Sequence, residues 1–437
     1  MYNPLRFVTV LGSSMLAINS SSVLADFLVD SKATINLRNF YYNNDNRNHS
    51  ATQSKIEEWA QGFTLDYKSG YTDGRIGFGV DALAMMGVTL DSGKGRHLNN
   101  TMIPSESDGS AVGEWGRLGA TAKVRLSDTI LKVGTLIPKL PILNANDGRV
   151  LPQTFEGTQI VTRELKDFQF TAGRIESVTG RGSTDRTGLS VSGASRESDY
   201  FDYAGLDWTL NKELTAQYYV SHLEDFYTQQ FLGFIHNHKF SNGTSFKSDI
   251  RFFDTEASGA NKNRVQGYQA SGYSRHGDGV IDNQTWAATF YYNVSAHTFT
   301  LGYQSVSDGG GFVQPNQNSL PDKGAGSPSS GTYTDRLVYA FYRAGEQTAY
   351  GGYAYDFFGM GVPGLKMSYV YLRGDNIKTV TGPDAKEWEQ NLYVDYVLQS
   401  GALKGVSFRW LQGMGRSSTF GDVDQTRLIV SYSLPLL

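Results

Sequence analysis

The chain holds 437 residues and no cysteine, and its 39 basic against 43 acidic side chains leave a formal net charge of −4. Such a balance offers no electrostatic footprint for nucleic acid, whose binding rests on basic groups replacing condensed counterions, and the absence of cysteine removes disulfide staples. Glycine (49), tyrosine (26) and phenylalanine (24) are plentiful in a chain only 39% hydrophobic, and past residue 25 no apolar run nears the roughly 18 to 20 residues of a membrane helix, which excludes helical spans and leaves β-strand spans open.

Residues 1–25 read as an export signal: Arg6, an apolar stretch from Phe7 to Ile18, then Val23 and Ala25 where a signal peptidase reads small side chains. No linker, repeat or low-complexity tract divides residues 26–437, so one domain is expected there.

Period-two alternation then recurs in blocks of about ten residues. In chain order, clear cases are Thr34-Ile35-Asn36-Leu37-Arg38, Gly62-Phe63-Thr64-Leu65-Asp66-Tyr67, Ile76-Gly77-Phe78-Gly79-Val80 and Ala122-Lys123-Val124-Arg125-Leu126. Further along come Leu214 to Val220, Phe299-Thr300-Leu301-Gly302-Tyr303, Leu392 to Tyr396, Val406 to Trp410 and Arg427 to Leu434. Alternate side chains of a strand point to opposite faces, and a soluble β-sandwich alternates in the same way. The second face is what distinguishes these strands. Lys123 and Arg125 share one face against Val124 and Leu126, as Ser407 and Arg409 do against Phe408 and Trp410. A strand with one apolar and one charged side fits a wall between lipid and water.

Connections come in two sizes. Residues 69–74, 210–213 and 293–297 suit tight hairpins, whereas 87–113, 254–282, 306–332 and 374–386 are long. Short periplasmic turns alternating with long external loops are the pattern of outer-membrane barrels. The stretch Ser307–Gly331, rich in Gly, Ser and Pro, reads as an outer loop.

Several segments resemble the OprD-type substrate-specific outer-membrane porin family. They include Leu37-Arg38-Asn39-Phe40-Tyr41-Tyr42-Asn43, Trp59-Ala60-Gln61-Gly62-Phe63, Gly77 to Ala82, Lys123-Val124-Arg125-Leu126-Ser127 and Leu131-Lys132-Val133-Gly134. Arg149-Val150-Leu151-Pro152-Gln153-Thr154, Leu223 to Tyr227, Ala296 to Gln304, Gly361 to Leu365, Ser407-Phe408-Arg409 and Arg427 to Val430 continue the series to the end of the chain. The resemblance implies an all-β fold: a transmembrane antiparallel β-barrel of 18 strands over 26–437, with inward-folded constriction loops. It also implies a ladder of basic residues that guides carboxylates.

A row of weak cationic sites in a narrow, low-dielectric passage offsets the dehydration of a passing carboxylate without trapping it. Arginine suits this role because its planar fork meets a carboxylate with two hydrogen bonds and stays charged. Inward parity combined with the family's segments selects Arg38, Lys123, Arg125, Lys132, Arg409 and Arg427. Arg149 joins them by resemblance alone, projecting from a folded-in loop, and Arg174 is a weaker member. Tyr303 and Asp308, with Tyr273 and Asp278, are candidates for the opposite wall. Family members specialised for basic amino acids carry a second arginine two residues past the position of Arg409, where this chain has Leu411. An apolar patch at Leu411 favours cyclic or aromatic carboxylates over basic amino acids and small peptides, the alternative substrate class.

Catalytic motifs are missing: there is no G-x-S-x-G elbow, no H-E-x-x-H and no phosphate-cradling loop. An outer-membrane barrel enzyme or a surface-binding β protein is therefore the weaker reading, and no cofactor is expected. His236 and His238 point the same way on an extended segment, but no third ligand is apparent beside them, so they read as a polar strand end and no metal is expected. The expected partners are small carboxylate solutes, outer-membrane lipid and lipopolysaccharide, with a loose homotrimer allowed by the resemblance.

Overall fold

A computed structural model describes residues 29–47, 53–98, 101–315 and 331–437. The expected export signal and most of the Ser307–Gly331 stretch lie outside them. In chain order the strands are β1 (Lys32–Asn46), β2 (Lys55–Lys68), β3 (Ile76–Asp91), β4 (Glu114–Leu126), β5 (Thr129–Leu136), β6 (Lys139–Leu140), β7 (Leu143–Asn144), β8 (Thr154–Thr162), β9 (Phe168–Thr179) and β10 (Phe201–Thr209). They continue as β11 (Leu214–Leu223), β12 (Tyr227–Lys239), β13 (Ser245–Ala257), β14 (Asp282–Val294), β15 (His297–Val306), β16 (Gln347–Asp356), β17 (Leu365–Ile377), β18 (Ala385–Val397), β19 (Ser407–Ser417) and β20 (Val423–Pro435).

All but β6 and β7 belong to one 18-stranded sheet, in which each strand pairs antiparallel with its sequence neighbours. The sheet closes because β1 pairs with β2 on one side and with β20 on the other, Arg38 lying opposite Gly62 and opposite Ser431. Closure removes the sheet edges, so every strand finds its backbone partners within the wall, as a hydrocarbon surround requires. The small β6–β7 hairpin forms a separate two-stranded sheet.

Both ends of the barrel chain, the start of β1 and the finish of β20, lie at one rim. The brief turns 127–128, 163–167, 210–213, 240–244 and 295–296 lie at that same rim, whereas 137–153, 180–200, 258–281 and the described parts of 92–113 and 307–346 lie at the other. By the rule for such barrels the first rim is periplasmic. The expected long connection 374–386 is shorter than its composition suggests. β17 runs on to Ile377 past a register shift at Gly374, leaving only 378–384 as loop.

The two faces of the wall settle the ambiguity with a sandwich. One face exposes large apolar side chains, including Leu118 (80%), Leu301 (66%) and Phe78 (55%), with Leu232, Phe234, Trp286 and Tyr369 beside them. The opposite face buries polar groups such as Glu58, Gln229, Asp249, Asn283, Gln304 and Glu389. A water-soluble β protein has the reverse arrangement, and a continuous apolar exterior of this extent belongs in lipid.

The interior is partly filled by long connections. Met102 and Ile103 from 92–113, Val150 and Leu151 from 137–153, and Leu337 from 307–346 cluster with the inward-facing Phe40, Tyr42, Trp115, Leu411 and Ile429. On the far side, Ile142, Leu143, Leu189 and Val191 pack with Phe201, Tyr219, Phe231 and Phe253. Burying a large aliphatic or aromatic side chain is worth about 1.5 to 3 kcal/mol, which holds these segments inside the barrel. At the periplasmic rim the turn 69–75 also folds back inside. A Cβ on Gly79 would run into the Gly70 carbonyl and the stem of Lys123, which explains the glycine on the inner face of β3.

Candidate functional site

β19, β20, β1, β2, β3, β4 and β5 are consecutive in the wall. Their inner faces carry most of the basic candidates on one arc. On β19, Phe408 and Trp410 are exposed outward while Leu411 is buried inward, so Arg409 faces in. On β20 the outward Leu428 and Val430 set Arg427 inward, and on β5 the outward Leu131 and Val133 set Lys132 inward. Lys123 and Arg125 share the inner face of β4 with the buried Trp115 and Thr121. Arg38 shares that of β1 with the buried Phe40 and Tyr42.

At mid-barrel the wall meets the folded-in loop 137–153. The Arg38 guanidinium donates to both Asp147 carboxylate oxygens at 2.7 and 3.0 Å and to the Arg149 carbonyl at 2.7 Å. Arg149 is itself buried. Its guanidinium lies 4.5 Å over the Tyr42 ring and donates to the Thr101 carbonyl at 3.2 Å. Arg427 lies 5.9 Å from the same ring and donates to Gln425 at 2.7 Å and to the Leu337 carbonyl at 3.1 Å. One tyrosine thus serves two guanidiniums, each contact being worth roughly 0.5 to 2 kcal/mol. Arg181, on the connection 180–200, reaches Asn146 at 3.0 Å. Burial, then the positive charges of Arg149 and Arg427, push its pKa well below the ordinary guanidinium value. Like charges held this close in a low-dielectric wall create a strong local positive field.

Nearer the periplasmic rim the basic groups are more accessible. Arg409 pairs with Asp395 at 2.5 Å with both side chains well exposed, 47% and 35%. A pair so exposed is worth under about 1 kcal/mol. Arg125 lies 4.4 Å over the Tyr71 ring. The phenol of Tyr71 is raised above its usual pKa by burial and then by Asp81, with Arg125 opposing. Lys123 differs: nearly buried, it donates to Asp81 at 2.5 Å and to the Ser69 carbonyl at 2.7 Å, pinning the inturned 69–75 segment. Lys132 is half-buried beside it, opposite Lys123 in the β4–β5 register.

The sequence matches the family described as outer membrane porin, OprD family, over residues 25–436. The chain belongs to the OprD family of porins. Porin-like protein GalP of Pseudomonas putida is 32% identical, with 94% of this chain and 93% of GalP covered. The crystal structure of Pseudomonas aeruginosa OccK8 (OprE) superposes with a TM-score of 0.86 at 44% identity, covering 94% of this chain and all (100%) of that one. Pseudomonas aeruginosa OpdK, solved with vanillate, superposes at 0.82 with 35% identity, covering 94% and 100%. This OprD-family protein is a substrate-selective channel of the Gram-negative outer membrane.

Not every candidate in this OprD-family barrel lies on the inner wall. Tyr303 shares the outward face of β15 with Phe299 and Leu301. There it packs against Trp286, ring centroids 5.4 Å apart, and donates to Gln347, which places it in the lipid-facing aromatic surface. Arg174 also faces outward, engaging both oxygens of Asp202 at 2.7 Å and lying 4.0 Å over Tyr200. Asp308 pairs with Arg275 at the outer rim, and Asp278 with Arg264. Tyr273 lines a cavity of about 450 Å³ there with Tyr342, Phe420, Arg343 and Lys378. Leu411 is only 5% exposed, within the buried cluster that also holds Val150, Leu151 and Leu337, so it offers no apolar surface to a solute.

Among the described residues, the inward-facing arginines that escaped the sequence reading include Arg117, Arg251 and Arg181. Arg117 shares the parity of Lys123 on β4 and donates to the Pro152 and Gly180 carbonyls; parity alone would have found it. Arg251 on β13 binds Asp249 at 2.8 Å and Tyr333 at 2.5 Å. Arg181 sits on a loop, where alternation gives no signal.

Proposed function

We propose that this channel conducts small carboxylates by passive diffusion, with cyclic or aromatic acids favoured. Connection 137–153 and the described parts of 92–113 and 307–346 form the constriction, and solutes pass along the basic arc. The reading takes residues 1–25 as an export signal removed from a single barrel domain, 26–437. The observation that carries it is the cluster of Arg38, Arg149, Arg181 and Arg427 where β1 and β20 meet the loop 137–153. A positive field in a narrow passage lowers the cost of dehydrating a carboxylate, while exposed groups such as Arg409 and Arg125 supply weak sites from which it leaves. The aromatic preference rests on kinship with a protein solved with vanillate, an aromatic carboxylate.

Liposome uptake with benzoate-like, dicarboxylate, arginine-like, sugar-acid and neutral-sugar solutes tests this reading. Benzoate-like acids should enter fastest. Faster entry of arginine-like solutes, or equal entry of neutral sugars of the same size, would overturn it.

A further inference from the structure

His236 and His238 lie two residues apart on β12, on the same outward face as the exposed Leu232 and Phe234. They sit at the periplasmic end of that strand, away from the basic arc. The structure supplies the third group that their sequence neighbourhood lacks. Leu214 pairs with His236 across the β11–β12 register, which brings Glu213, the last residue of the 210–213 turn, beside both rings. The carboxylate lies 3.1 Å from His238 Nδ1 and 3.8 Å from His236 Nε2. One ligand atom from each of the three residues falls within 4.8 Å of the others, and among the described residues no second group of His, Cys, Asp or Glu does the same.

The arrangement is organised before any ion arrives. The Glu213 backbone is held at both ends: its N–H donates to Asn211 Oδ1 at 2.8 Å, and its carbonyl accepts from the Asn237 N–H at 2.7 Å. The two imidazoles stack at 6.2 Å with an interplanar angle of 12°, and Phe240 meets the His238 ring edge-on at 4.5 Å. All three ligand side chains are 38 to 46% exposed, leaving room to close by small rotations and for water to complete the coordination.

We propose that Glu213, His236 and His238 form a divalent transition-metal site on the outer wall at the periplasmic rim, linking the β10–β11 turn to β12. Two imidazoles and one carboxylate are a donor set suited to zinc, nickel or copper rather than to calcium or magnesium, which take oxygen ligands. Ligand distances of roughly 2.0 to 2.2 Å would bring donor atoms to about 3.3 to 3.6 Å of one another, so the set, now within 4.8 Å, closes by side-chain rotation when an ion binds.

Tag-free protein in detergent, titrated with Zn²⁺ by calorimetry and with Cu²⁺ by electron paramagnetic resonance, tests the site. One Zn²⁺ per chain is expected, with a Cu²⁺ signal showing coupling to two imidazole nitrogens. The His236→Asn/His238→Asn variant should lose that signal, and Glu213→Gln should weaken Zn²⁺ binding by at least the roughly tenfold that loss of even an outer partner costs. His297→Asn, at another turn of the same rim, should leave both unchanged. Retention of the two-nitrogen signal in the double variant, or no stoichiometric Zn²⁺ binding by the unmodified chain, would overturn the proposal.

Discussion

Arg38 on β1 grips Asp147 on the inturned loop through two guanidinium nitrogens, at 2.7 and 3.0 Å, and holds the Arg149 carbonyl with the same group. A wall residue proposed to attract solute therefore also tethers the segment proposed to narrow the passage. The Asp147 side chain is 57% exposed, so the pair contributes under about 1 kcal/mol to folding. Asp147→Ala should leave the thermal midpoint nearly unchanged but raise current noise and single-channel conductance in planar bilayers. Unaltered conductance would show that the tether does not set the aperture.

Arg409→Ala and Arg125→Ala remove accessible charges from the inner wall. Because field focusing acts on solute entry, each should lower carboxylate flux by about threefold to tenfold. Arg174→Ala, which removes a charge on the outer face, is the matched control and should leave flux unchanged. Liposome swelling with benzoate as solute reads the difference, and equal effects at all three positions would remove the arc as a guide.

Lys123 is 7% exposed and Asp81 17% exposed, so removing one partner leaves a largely buried charge unpaired. Lys123→Ala should destabilise the barrel by about 3 to 5 kcal/mol, and Lys123→Ala/Asp81→Ala should recover a good part of the loss. Denaturant unfolding in detergent measures both. A larger loss in the double variant than in the single one would show that Lys123 does not act by pairing with Asp81.

Glu346 closes the connection 307–346 and is wholly buried, accepting the Arg343 N–H at 3.0 Å. Burial and then the neighbouring Glu387 carboxylate raise its pKa well above the ordinary value. A carboxyl raised in the folded state stabilises the fold below its unfolded pKa and loses that contribution as pH climbs through the folded one. Protection of residues 331–346 from hydrogen exchange should therefore be greater at acidic than at neutral pH. Glu346→Gln, which cannot ionise, should flatten that dependence; an unchanged pH profile in this variant would assign the effect elsewhere.

Alternation made much of the wall legible. Phe408 and Trp410 around Arg409, and Val124 and Leu126 around Arg125, sort the faces because lipid and water are different solvents for alternate side chains. The same rule already placed Tyr303 with Phe299 and Leu301, and Arg174 with Phe170, on the apolar side. That parity is why Arg174 stands only as a weaker member, whereas Tyr303 is chosen for its chemistry. Leu411 shows the limit of that rule: its strand tells that it faces inward, but not that it is buried in one cluster with the loop residues Val150, Leu151 and Leu337.

Strand faces and the family were fixed by the order of residues, since period-two patterning acts locally and needs no knowledge of what lies across the sheet. Long-range meetings were decided by the fold alone: Arg38 with Asp147, Arg149 and Arg427 on one Tyr42 ring, and Glu213 beside His236. These depend on strand register and on where apolar loop residues find burial. Both are set by the closed barrel as a whole, because a register or a loop position is stable only once all its neighbours are in place.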